Sequence, residues 1–129
     1  MRRILMIAFL GMVSIFLIGC GGNMVEAEYR HVSSDEAQRL METESGYIIL
    51  DVRTMKEYSE GHIPGAICIP NETIGKEPPT ELTDMEQMIL VYCRSGRHSK
   101  EAAQKLADMG YKNVIEFGGI IDWHGRIEN

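Results

Sequence analysis

Within Cys93-Arg94-Ser95-Gly96-Arg97-His98-Ser99 stand a thiol, two guanidinium groups, an imidazole and a glycine. The chemistry open to this set is nucleophilic. A thiolate attacks where a thiol does not, and positive surroundings and helix amino ends favour the thiolate. Residues 88–92 form an apolar run with the length and β-branched character of a buried strand. From Ser99 the chain reads as a helix. Ala102, Ala103, Leu106 and Met109 share one face, with Lys100, Glu101, Gln104, Lys105 and Asp108 opposite. Strand, tight turn and helix put Cys93 at the carboxyl end of a sheet strand, facing a crevice. The turn amides can form an anion-binding nest. Arg94 and Arg97 add positive charge, His98 adds more when protonated, and Gly96 lets the backbone turn with positive φ. A cysteine at a strand end can also be an inert core residue. The turn, the basic residues and the helix together favour the nucleophile.

Other elements must hold that loop. Residues 47–52 read as a parallel strand covered on both faces. Asp51 and Arg53 at its end are near the chemistry but read as structural: Asp51 accepts from turn amides, and Arg53 has Glu57 at helical spacing. A fixed negative charge beside a thiolate would oppose ionisation. Residues 55–60 read as a short helix, and Gly61-His62-Ile63-Pro64-Gly65-Ala66 as a turn in which His62 fixes backbone geometry. Residues 66–69 read as a strand that buries Cys68, with a role as resolving thiol for Cys93 as the alternative. Before these, residues 29–32 suggest a strand, and Ser33-Ser34-Asp35-Glu36 a capping box opening a helix. Residues 80–87 read as one or two helical turns. Gly110 reads as a helix C-cap, 114–117 as a last strand, and 120–127 as a helical piece whose Trp123 anchors the core. Strands alternating with helices predict an α/β domain with a mostly parallel sheet.

The 129 residues suffice for one small domain, and the amino-terminal segment stands apart from it. Met1-Arg2-Arg3 precedes an apolar run, residues 4–18, short for a spanning helix and suited to a secretory signal. The run ends in Leu17-Ile18-Gly19-Cys20, which resembles the bacterial lipobox. That resemblance implies cleavage before Cys20 and a lipid on its thiol. The expected organisation is a lipoprotein signal peptide over 1–19, the lipidated Cys20 and a tether over 20–28, and a domain over 29–127. An uncleaved membrane helix is the alternative. Either reading sets the domain outside the cytoplasmic membrane, anchored to a bacterial membrane. From Cys20 onward, 11 basic residues face 19 acidic ones, a balance of −8 that argues against nucleic acid as a partner. With Cys20 acylated, Cys68 and Cys93 remain, and no Cys/His spacing suggests a metal site.

Cys93-Arg94-Ser95-Gly96-Arg97-His98-Ser99 resembles the active-site loop of the rhodanese-like domains, Cys-Arg-Ser-Gly-x-Arg-Ser. Ile49-Leu50-Asp51-Val52-Arg53, Glu57 and Gly61-His62-Ile63-Pro64-Gly65-Ala66 resemble the family's Asp-x-Arg…Glu…Gly-His-Ile-Pro-Gly-Ala segment. Phe117-Gly118-Gly119-Ile120 with Trp123 resembles its closing Gly-Gly…Trp. The resemblance implies five parallel strands with helices on both faces and a sulfurtransferase needing no cofactor and no metal. Cys93 would take a sulfane sulfur from thiosulfate or a persulfide and pass it to a thiol, a protein thiol included, or to cyanide. Arg94, Ser95, Gly96, Arg97, His98 and Ser99 would bind the donor, with Asp51, Arg53 and His62 in support. His98 stands where the family's second Arg is usual, so donor binding is expected to weaken as the imidazole loses its proton. Two other classes are open. A cysteine phosphatase or arsenate reductase would need Arg at the position of Ser99 to grip a tetrahedral oxyanion. An extracytoplasmic binding or persulfide-sensing module would carry Cys93 with little turnover.

Overall fold

The computed structural model describes residues 27–129. The expected signal peptide, Cys20 and the tether up to residue 26 lie outside the described residues. In chain order the elements are β1 (Arg30–His31), α1 (Ser34–Thr43), β2 (Ile48–Asp51), α2 (Met55–Glu60), β3 (Ile67–Cys68), β4 (Ile89–Cys93), α3 (Arg97–Asp108) and β5 (Val114–Gly119), with 3-10 turns at Asn71–Thr73 and Ile120–Asp122. The five strands form one sheet in the order β1-β5-β4-β2-β3. Every pairing is parallel.

The central strands are apolar on both faces because both faces are covered. Leu50, Ile89, Val91, Cys93 and Val114 point to the side of α3, where Ala102, Ala103 and Leu106 meet them. Ile49, Leu90, Tyr92, Ile115 and Phe117 point the other way, against Ala37, Leu40 and Met41 of α1 and Tyr58 of α2. The period of two along each strand thus divides the core into two layers. Trp123 packs half-buried on the second layer, its ring 5.9 Å from that of Phe117.

Several local expectations change. Ser33 caps α1 by accepting from the Glu36 N–H, but the Glu36 carboxylate turns to Arg39 instead of closing the box. The complete capping box belongs to Thr54 and Glu57, at the start of α2. Residues 80–87 form turns with no helix. There the Asp84 carboxylate accepts from the Glu86 N–H, a local bond that competes with helix. The helical piece expected over 120–127 is limited to Ile120–Asp122. Beyond it the chain leaves to pair Glu128 with His62 in an antiparallel bridge.

Candidate active site

Cys93 ends β4, and α3 begins at Arg97, so the connecting turn is Arg94-Ser95-Gly96. Gly96 takes φ +103°, a left-handed conformation that costs glycine little. The turn directs the Gly96 N–H back onto Cys93 Sγ at 2.9 Å. Gly119 of β5 lies under the turn, and any Cβ there would meet the Arg94 carbonyl oxygen. The Ile121 N–H donates to the same carbonyl at 3.3 Å. A ladder irregularity between Val91 and Cys93 puts Cys93 in register with Gly119.

Cys93 is 2% exposed and forms part of the floor of a crevice of about 290 Å³. Arg53 and Arg94 bring positive charge to its walls, His98 brings an imidazole, and Glu57 and Glu72 bring negative charge. Arg97 is exposed and stands outside this lining, so of the two loop arginines only Arg94 faces the crevice. Ser95 lines it too, whereas Ser99 is fully buried behind the sulfur. Cys93 Sγ donates to Ser99 Oγ at 3.4 Å. Ser99 Oγ in turn lies 2.8 Å from Glu116 Oε1.

The supporting residues form a separate buried network. The Arg53 guanidinium grips Asp51 through Nε–Oδ1 at 3.0 Å and Nη2–Oδ2 at 2.6 Å, and Nη2 also donates to the Gly61 carbonyl. Asp51 accepts from the Tyr92 hydroxyl at 2.8 Å, which itself accepts from the Ile63 N–H. Burial works to lower the Arg53 pKa, but the hydrogen bond and charge of Asp51 outweigh it and the net direction is up. The expected Arg53–Glu57 pairing is absent, because Asp51 takes the guanidinium and Glu57 caps α2. His62 is buried, stacked on Tyr58 at 3.8 Å, with Nδ1 on the Tyr58 carbonyl. It lies outside the crevice lining and fixes the turn.

Cys68 sits on the edge strand, with β2 between it and β4. Two strand spacings separate the cysteine strands by roughly 10 Å, beyond the ~7 Å that a disulfide spans. The resolving-thiol alternative is therefore not met without backbone movement. Burial pushes the Cys68 thiol up to about 11, and its Sγ donates weakly to the Arg53 carbonyl.

Glu116 escaped the sequence reading. It is fully buried in β5, bonded to Ser99, to the Gly118 N–H and to His31 Nδ1. The available signal was a lone carboxylate in the apolar strand Val114-Ile115-Glu116-Phe117, since a buried charge needs partners.

The rhodanese-like domain family matches residues 33–126. Thiosulfate sulfurtransferase PspE of Escherichia coli (strain K12) is 37% identical over 73 residues, covering 57% of this chain and 70% of that protein. A sulfurtransferase of Allochromatium vinosum is 36% identical over 98 residues, covering 72% of this chain and 87% of that one. YrkF of Bacillus subtilis (strain 168) is 34% identical over 98 residues, covering 75% of this chain, which spans about half (52%) of that protein's length. Among solved structures, a rhodanese with anions from E. coli has TM-score 0.59 and 32% identity, over 64% of this chain and 98% of that one. The rhodanese-like domain of the Anabaena sp. Alr3790 protein has TM-score 0.69 and 27% identity, over 77% and 78% of the two chains. With its parallel five-stranded sheet, its strand-end cysteine loop and the family match over residues 33–126, the chain belongs to the rhodanese-like domain family.

Proposed function

We propose that this chain is a sulfurtransferase that moves a sulfane sulfur through a Cys93 persulfide. The observation that carries the reading is the Gly96 N–H aimed at Cys93 Sγ from 2.9 Å, at the floor of a crevice walled by Arg53, Arg94 and His98. The amide donor, with the Arg94 guanidinium on the same crevice, favours an anionic sulfur at that point. The Cys93 thiolate attacks the outer sulfur of thiosulfate, or of a persulfide. A new S–S bond forms, the donor's own S–S bond breaks, and its electron pair leaves on sulfite or on a thiolate. A thiol or cyanide then attacks the outer sulfur of the persulfide and returns Cys93 as thiolate. Arg94 and His98 attract the anionic donor, and the turn amides hold the charge on the sulfur.

Two displacements through a covalent intermediate give ping-pong kinetics. Thiocyanate release is therefore measured over a grid of thiosulfate and cyanide concentrations. Parallel double-reciprocal lines, with turnover lost in Cys93→Ser, are expected. Intersecting lines, or turnover that survives the Ser variant, would exclude this route.

We propose further that the chain works outside the cytoplasmic membrane, tethered by a lipid on Cys20. The lipobox-like Leu17-Ile18-Gly19-Cys20 after an apolar run supports this. Incorporation of labelled fatty acid that vanishes in Cys20→Ala is the expected result, and equal labelling of the two chains would refute it.

A further inference from the structure

Behind Cys93 a line of polar groups crosses the α3 side of the sheet. Cys93 Sγ lies 3.4 Å from Ser99 Oγ, Ser99 Oγ lies 2.8 Å from Glu116 Oε1, and Glu116 Oε2 lies 2.5 Å from His31 Nδ1. Ser99 and Glu116 are fully buried, whereas the His31 side chain is 57% exposed. His31 and Glu116 face each other in register on β1 and β5. His31 also lines a second cavity of about 310 Å³, shared with Asp35, Asp122 and His124, none of which lines the Cys93 crevice. The line thus runs from the back of the sulfur to another part of the surface.

A carboxylate buried this deeply carries a desolvation cost that its partners must offset. Structural duty accounts for the Gly118 N–H, which Glu116 Oε1 accepts at 2.7 Å. It does not account for the bond to Ser99, whose hydroxyl could be satisfied by the Gly96 carbonyl at 3.0 Å. The Ser99 hydroxyl has one proton to give and two lone pairs to receive with. It can therefore take the thiol proton and hand its own to the carboxylate in one motion.

We propose that Glu116 is the proton acceptor for the Cys93 thiol, acting through the Ser99 hydroxyl, with His31 steadying the ionised carboxylate from its solvent end. The Cys93 S–H bond breaks, its proton goes to Ser99 Oγ, and the Ser99 proton goes to Glu116 Oε1. Ser99 is unchanged, Glu116 becomes neutral, and Cys93 becomes thiolate without release of a proton to bulk water. The neutral Glu116 also removes a negative charge from behind the sulfur at the moment when the sulfur gains one. Glu116 keeps the proton while Cys93 carries the persulfide. When the acceptor attacks and the Cys93 sulfur leaves as thiolate, the proton returns by the same path. Ser99 touches the reacting sulfur, while Glu116 and His31 act through it.

Among the described residues, the charged and titratable groups around this path are few. His31 faces Glu116 from β1, and Cys93 approaches it from β4 through Ser99 of α3. On the crevice side Cys93 meets Arg53, Arg94, His98, Glu57 and Glu72. The proposal deepens the sulfurtransferase reading and takes its purpose from it, yet its test needs no sulfur donor. The rate of Cys93 alkylation by iodoacetamide is followed against pH by mass, in the wild type and in Glu116→Gln. Coulomb's law alone says that removing a buried negative charge eases ionisation and moves the midpoint to lower pH. Loss of the proton acceptor moves it to higher pH, and a shift upward of at least about one pH unit is expected. A midpoint that stays or falls overturns the proposal. Ser99→Ala keeps the test open should the Gln variant fail to fold. It leaves Glu116 and His31 paired, its midpoint is also expected to rise, and an unchanged midpoint overturns the proposal as well. Sulfur loading from thiosulfate, measured separately on the wild type, reports on the sulfurtransferase reading independently of either result.

Discussion

Gly119 and Arg94 are in contact through their backbones: a Cβ on Gly119 would lie 2.0 Å from the Arg94 carbonyl oxygen and 2.7 Å from Ser95 Cα. The two belong to the last strand and the cysteine turn, so the turn rests on β5 with no room for a methyl group. Gly119→Ala must push the turn off the strand. It should destabilise the domain by at least about 2 kcal/mol. Because a misplacement near 1 Å can cost on the order of 100-fold in rate, sulfur loading should fall comparably. Thermal melting and the rate of loading check the two parts, and a variant equal to wild type in both would refute this contact's role.

The Asp51–Arg53 pair is a buried ion pair with three further partners, the Tyr92 hydroxyl and the Arg53 N–H on Asp51 and the Gly61 carbonyl on Arg53. Removing one ion of such a pair leaves the other buried and uncompensated. Asp51→Ala should therefore lose about 3–5 kcal/mol in urea unfolding. A loss below about 1 kcal/mol would be the value of an exposed pair and would contradict the burial seen here.

Alkaline pH should weaken the fold. Burial raises the Tyr92 hydroxyl far above the usual phenol range and the Cys68 thiol to about 11. Both are groups whose folded pKa exceeds the unfolded one. Their contribution is whole below the unfolded values and is lost as pH rises, from about 9 upward for Cys68 and from about 10 for tyrosine. The melting temperature should fall steadily from pH 9 to 11, and Cys68→Ser should flatten the first part of that fall. A constant melting temperature across this range would contradict the assignment. Burial holds the half-buried Cys68 thiol in its neutral form, so at pH 8 it should react with alkylating agents more slowly in the folded domain than after unfolding.

His98 lines the crevice where the loop pattern usually carries a second Arg. A guanidinium there would stay charged and could hold an oxyanion through two donors. The Michaelis constant for thiosulfate at pH 8 should therefore fall in His98→Arg. An unchanged constant would remove His98 from donor binding.

The cysteine turn was legible because its parts are adjacent in sequence. An apolar strand, a glycine turn and an amphipathic helix follow one another from Ile89 to Asp108. That the strand over 47–52 is covered on both faces was legible in its continuous apolar run, but which residue faces which layer emerges only from the structure. What escaped depends on pairing between distant segments. His31 and Glu116 are 85 positions apart and meet only because β1 adds to β5 in a register that aligns them. Spacing along a helix suggested Glu57 for Arg53. The nearer carboxylate of Asp51 wins because Arg53 lies just past the strand end and folds back on it. Likewise, nothing local shows that Tyr111 donates to the Leu82 carbonyl, a bond that holds the turns of residues 80–87 against the core.

The claim on which the rest depends is that Cys93 carries the sulfur. The domain without Cys20 is incubated with thiosulfate, its intact mass is recorded, and a thiol is then added. A gain of one sulfur atom is expected that requires Cys93, appears together with free sulfite and disappears when the thiol takes it up. A folded protein with reduced Cys93 whose mass stays unchanged with thiosulfate and with persulfide donors would contradict it.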